Sequence, residues 1–159
     1  MIEDYINDKL SGDMGKNALE LVTYLRTSGM LFERGKGYWE DKLYWLVTYK
    51  DKYVCFILIC TEDGKMESWT VWSDDSGSNC FENARLDEHM KRIAWENVDT
   101  CANCGGCGNR GRTCKTIFGK EFDNVCITAM RFDTPDETTV ECMKELARIR
   151  KNDIEGASI

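Results

Sequence analysis

The spacing of apolar and polar positions changes several times along the chain, and each change predicts an element. Ala18, Leu21, Val22 and Leu25 fall on an i, i+3, i+4, i+7 stripe. That predicts a helix over about Gly15 to Ser28, with Asp13 available as its cap and Gly29 as the residue that ends it. The preceding residues, 1–12, are polar and predict a loose N-terminal tail. From Leu31 to Trp72 the period falls to two. Leu43, Trp45, Val47 and Tyr49 alternate with Tyr44, Leu46 and Thr48, which is a strand pattern. Lys50, Asp51 and Lys52 break it, and the continuous apolar run Tyr53–Cys60 predicts a central strand buried on both faces. Thr61–Lys65, with its Asp-Gly pair, predicts a hairpin turn, and Glu67–Trp72 the returning strand. Leu31–Arg34 adds a short strand before these.

Beyond the polar loop Ser73–Asn79, the positions Leu86, Met90, Ile93 and Ala94 predict a second helix from roughly Glu82 to Asn97. Asn124–Phe132 alternates again as a last strand. Thr134-Pro135-Asp136-Glu137 then carries a helix-start signal, with Thr134 as N-cap, Pro135 at the first helical position and Glu137 completing a capping box. Cys142, Met143, Leu146 and Ile149 form that helix's inner stripe. The expected architecture is one α+β domain over residues 1–159. It has an antiparallel sheet of four to five strands, about three flanking helices and a Cys/Gly-rich loop.

Charge narrows the partners. A net charge of −7 repels a phosphate backbone, and the basic residues are scattered, so no nucleic-acid partner is expected. The longest apolar run falls far short of the roughly 20 residues that cross a bilayer, and the first residues lack the basic and apolar regions of a secretory signal. A cytoplasmic protein without a membrane partner is the expectation, and the oligomeric state stays open.

In a reducing compartment the dense cysteine segment Cys101–Cys114 points to metal or redox chemistry ahead of disulfides. Its spacing is C-x2-C-x2-C-x6-C, formed by Cys101, Cys104, Cys107 and Cys114. Tetrahedral thiolate coordination of a structural zinc ion uses such pairs, and Gly105, Gly106, Gly108 and Gly111 permit the turns that wrapping an ion needs. Arg110 and Arg112 would offset the excess thiolate charge. Cys80 or Cys126 could replace one ligand. Free thiols, an iron–sulfur cluster broken at its fourth ligand, and a redox dithiol at Cys104/Cys107 stay open beside zinc.

Of the five tryptophans, Trp39, Trp45, Trp69 and Trp72 lie in the strand region. They serve either as core or as the aromatic wall of a small-molecule cleft. Trp69 and Trp72 fall on opposite faces of one strand, so a sheet covered on one side buries only one of them. The single histidine, His89, sits on a polar helix stretch with no nucleophile beside it, and neither a P-loop nor a dinucleotide fingerprint occurs.

Arg34-Gly-Lys-Gly-Tyr-Trp39, Tyr44-Trp45-Leu-Val-Thr-Tyr49 and Tyr53–Ile59 together resemble a family of small bacterial proteins of unassigned activity. Thr116–Cys126, Arg131-Phe132 and Pro135-Asp136 are similar to a clostridial branch of it that also carries the cysteine loop. The resemblance implies a compact α+β fold, related to domains sometimes fused to helix-turn-helix regulators that bind small effectors. No activity comes with it. The expected function is therefore a non-enzymatic protein that binds a small apolar or cationic molecule in a tryptophan-lined cleft beside a zinc-stapled loop. A thiol or redox enzyme using Cys104 or Cys107, and a protein-interaction module, are the alternatives.

Overall fold

The computed structural model describes residues 1–36, 43–59, 67–74, 77–100 and 113–157. The expected hairpin turn Thr61–Lys65, Trp39, and Cys101, Cys104 and Cys107 lie outside these residues.

The elements run α1 (Ile2–Lys9), α2 (Gly12–Thr27), β1 (Leu31–Arg34), β2 (Leu43–Tyr49), β3 (Lys52–Ile59), β4 (Trp69–Ser73), α3 (Glu88–Glu96), β5 (Val98–Thr100), β6 (Thr113–Ile117), β7 (Lys120–Asp133) and α4 (Glu137–Glu155). The chain is α+β, as expected. Its antiparallel sheet has seven strands where four to five were expected, in the order β1-β2-β3-β4-β7-β5, with β6 also paired to β7.

The β2–β3 hairpin follows its sequence directly. Lys50 and Asp51 both take left-handed backbone, φ 47° and 60°. Two consecutive positive φ values match the right-handed twist of the flanking strands. Gly29, at φ +85°, closes α2 as the apolar stripe predicts.

Three local expectations give way. Residues 2–9 form α1 instead of a loose tail, because Ile2, Ile6 and Leu10 recur every fourth position and are all buried. The last helix begins two residues later than its capping signal suggests. Thr134 takes φ 44°, which an extended N-cap cannot, and the Asp136 carboxylate accepts from the Thr139 N–H at 2.8 Å in its place. Residues 82–87 are not helical; α3 starts after Asp87, whose carboxylate accepts from the Met90 N–H at 2.9 Å. Upstream of it, the Phe118 N–H donates to the Phe81 carbonyl at 2.7 Å, clamping that segment to the β6–β7 turn.

Register places the core. Trp45, Ile57, Val71 and Phe132 are direct neighbours across β2, β3, β4 and β7. With Val47, Ile59, Trp69 and Met130 they join Ile2, Ile6, Leu21, Leu25, Met143, Leu146 and Ile149 of the helices in one buried cluster. The helices thus close one face of the sheet. A void of about 10 Å³ between Leu25, Val71, Phe132 and Met143 holds at most one water.

Candidate functional site

Side chains alternate across a strand, so the positions between those core residues point to the other face. They line up in two rows. Glu33, Leu46, Phe56, Trp72 and Arg131 are successive neighbours across β1, β2, β3, β4 and β7. Tyr44, Leu58, Thr70 and Asp133 form the row beside it. Neither row belongs to the cluster that the helices share with the first face. The result is an apolar, partly aromatic floor framed by charges: Glu33 at one end, Arg131 and Asp133 at the other.

Leu46, Phe56 and Leu58 are half-buried, while Tyr44, Thr70 and Trp72 are buried. Tyr44 is held by its neighbours. Its hydroxyl donates to the Lys36 carbonyl at 2.9 Å, and any Cβ on Gly35 would meet its ring carbons at 1.9 Å. That close approach requires glycine.

The charged corner is more elaborate. Arg131 places its guanidinium carbon 5.3 Å from the centroid of the Trp72 ring, a cation–π contact. The same guanidinium donates to Asp133 at 3.1 Å, and Asp133 also accepts from the Thr70 hydroxyl at 2.8 Å. Asp99 of β5 faces the same corner. Partial burial pushes its carboxyl above the ordinary range; Arg131 opposes that rise and Asp133 adds to it. Two carboxylates therefore share one arginine, and the arginine's short bond goes to Asp133.

The sequence-predicted tryptophans separate. Trp45 and Trp69 lie on the helix-covered face, at 8% and 1% exposure, and Trp72 on the opposite face. The described tryptophans therefore do not share one cleft. Trp45 packs its ring 6.0 Å from that of Tyr5 on α1. Among the described residues, the buried indole N–H groups of Trp45 and Trp69 have no hydrogen-bond partner. Asp99, Arg131 and Asp133 went unrecognised in the sequence as site residues. The available signal was that Leu46, Phe56, Leu58 and Trp72 stand between the core-facing positions of β2, β3 and β4, which implies a second non-polar face.

Of the predicted metal ligands, Cys114 alone is described. It is exposed, and its thiol is raised by desolvation, then by a hydrogen bond to Asp123 and the charges of Asp123 and Glu121. These carboxylates oppose the thiolate form that zinc needs. The anchoring of the loop, in contrast, suits a staple. Thr100 ends β5 and Thr113 begins β6, and both pair with Val125 from opposite edges of β7. Two strand spacings put these anchors roughly 10 Å apart. Half-buried Cys126 follows Val125 directly. Cys80 is buried next to Phe81, at the β6–β7 turn and thus at the far end of β6 from Thr113. Among the described residues, no group of three or more His, Cys, Asp or Glu side chains is placed to hold a metal ion. His89 is exposed, in line with a solvated helix position.

No described helix is long and apolar enough to cross a membrane. Comparison with known proteins gives no matching family model, no matching curated protein and no similar solved structure.

Proposed function

We propose that the protein is a non-enzymatic binder of a small organic molecule with an apolar body, and that the face of the sheet that no described helix covers is the binding surface. One observation carries this reading. An aromatic and aliphatic row, Leu46, Phe56 and Trp72, runs across the sheet on the face away from the helices and ends in a built cluster of charges. An apolar floor with a few convergent polar groups is what small-molecule sites use to combine affinity with orientation. Trp72 is the tryptophan of the site, and Trp45 and Trp69 are core.

The cysteine loop is a structural staple in this reading, holding zinc through Cys101, Cys104, Cys107 and Cys114 and tying β5 to β6 across β7. Cys126 is the replacement ligand that the anchors favour, and Cys80 is disfavoured by its place at the other end of β6. Zinc here would supply folding stability and no chemistry. The resemblance to small-effector domains of bacterial regulators agrees with a stand-alone, cytoplasmic binder.

Tryptophan emission and thermal melts of the purified chain against a metabolite collection test the binding claim. Compounds that shift emission in the wild type and lose that shift in Trp72→Phe are expected. Flat emission together with unmoved melting temperatures rejects it. Elemental analysis with thiol titration, on protein purified without chelator, tests the staple. About one zinc per chain is expected, with at least three thiols protected. Metal-free protein with every exposed thiol reactive rejects it.

A further inference from the structure

The corner formed by Trp72, Arg131, Asp99, Asp133 and Thr70 already holds a cation, and that cation is the chain's own. Arg131 lies over the indole at 5.3 Å and is tethered to Asp133 at 3.1 Å, yet its side chain is 47% exposed. It therefore has solvent to swing into. The rest of the corner does not depend on it: Asp133 is separately fixed by the Thr70 hydroxyl at 2.8 Å. Asp99 alternates along β5 with core-facing Val98 and so lies on the same face as Asp133 and Arg131, where two carboxyl groups meet one arginine. The indole face, the carboxylates and the net charge of −7 all favour a second positive group.

We infer that the ligand's head is an organic cation, and that Arg131 is a built-in competitor for its place on Trp72. This rests on the binding face proposed above and adds the charge class of the ligand and a specificity-determining residue. Binding exchanges one cation–π contact for another. The ligand's ammonium or guanidinium takes the indole face between Asp99 and Asp133, and its apolar body lies along Phe56 and Leu46. Arg131 moves out to solvent while remaining within reach of Asp133. An apolar anion would meet both carboxylates on arrival and is excluded. A neutral molecule gains the apolar floor alone.

The consequence is opposite in sign to that of an ordinary binding arginine: removing Arg131 strengthens cation binding. Fluorescence titration of the full chain with phenyltrimethylammonium and with its neutral isostere tert-butylbenzene reads this directly. Arg131→Ala and Arg131→Gln should each bind the cation roughly threefold to fivefold tighter, with the neutral probe unchanged. Asp99→Asn should weaken the cation selectively. Melts of each variant establish that it is folded; Arg131→Gln keeps a donor towards Asp133 should the alanine variant lose stability. If the cation binds no tighter in either folded variant while the neutral probe still binds and Trp72→Phe weakens it, the competitor role is wrong and the binding face stands. If neither probe binds any folded variant, both fall.

Discussion

The two faces of one sheet carry tryptophans of opposite use. On the helix-covered face, Trp69 is 1% exposed and belongs to a continuous core with α1, α2 and α4. On the other face, Trp72 is buried as well, but beneath an arginine that two carboxylates face. Burial alone does not separate them. What surrounds each does: apolar contacts that disappear only on unfolding, as against a charged contact that can exchange with solvent. The comparison teaches that in a half-covered sheet the residue type marks a candidate site less well than the face it occupies.

The largest expected effect tests the covered face. Trp69→Ala should lower stability in urea by about 3–5 kcal/mol, the usual range for deleting a buried aromatic. Trp72→Ala should cost about half of that, since its face lies outside the helix-packed cluster. Equal losses would erase the distinction. Trp69→Phe sharpens it. The indole N–H of Trp69 has no partner among the described residues, so this substitution removes an unpaired buried donor along with volume, and the measured cost should stay below about 1.5 kcal/mol.

Next in size is α1, which covers the end of the core near Trp45. Ile6→Ala removes a fully buried side chain and should cost about 2–4 kcal/mol by denaturant titration; a loss within 0.5 kcal/mol, roughly a surface value, would mean that α1 does not belong to the core. Smaller still is the start of α4. Asp136→Ala should cost about 1 kcal/mol, and Thr134→Ala less, reversing the order that the sequence signal implies.

The smallest effect concerns pH and the face opposite the described helices. Asp99 has its carboxyl raised above 3.8, chiefly by desolvation. The folded chain thus holds that proton more tightly than the unfolded one. Its contribution to stability is full below pH 3.8 and declines as pH rises through the elevated value. Asp99→Asn should flatten this part of the stability–pH curve. An unchanged slope would remove Asp99 from the corner.

Much of the fold was readable from the chain. Period-two alternation marks β2, and the apolar run marks β3 as a central strand, although only one of its faces is fully buried: Phe56 and Leu58 on the other are half-buried. The missed pieces have physical causes. α1 is short, and Glu3, Asp4 and Asp8 mask the Ile2–Ile6–Leu10 stripe. β5 has three residues, too few to display a period, and β7 is interrupted by left-handed Asn124 and Ala129. The site was half readable. An aromatic on each side of β4 is explicit in Trp69 and Trp72, but nothing local to Asp99 or Arg131 says that strand pairing brings them together. The start signal of α4 failed for a similar reason: the Thr134 N–H is drawn to the Trp69 carbonyl at 2.7 Å, a partner distant in sequence.

Fluorine NMR of the full chain labelled with 5-fluorotryptophan tests the division between the faces most directly, with Trp72→Phe, Trp69→Phe and Trp45→Phe assigning the resonances. On titration with phenyltrimethylammonium, the account predicts that the Trp72 resonance moves in a saturable way while those of Trp45 and Trp69 stay in place. Movement of the Trp45 or Trp69 resonance with a stationary Trp72 would contradict it.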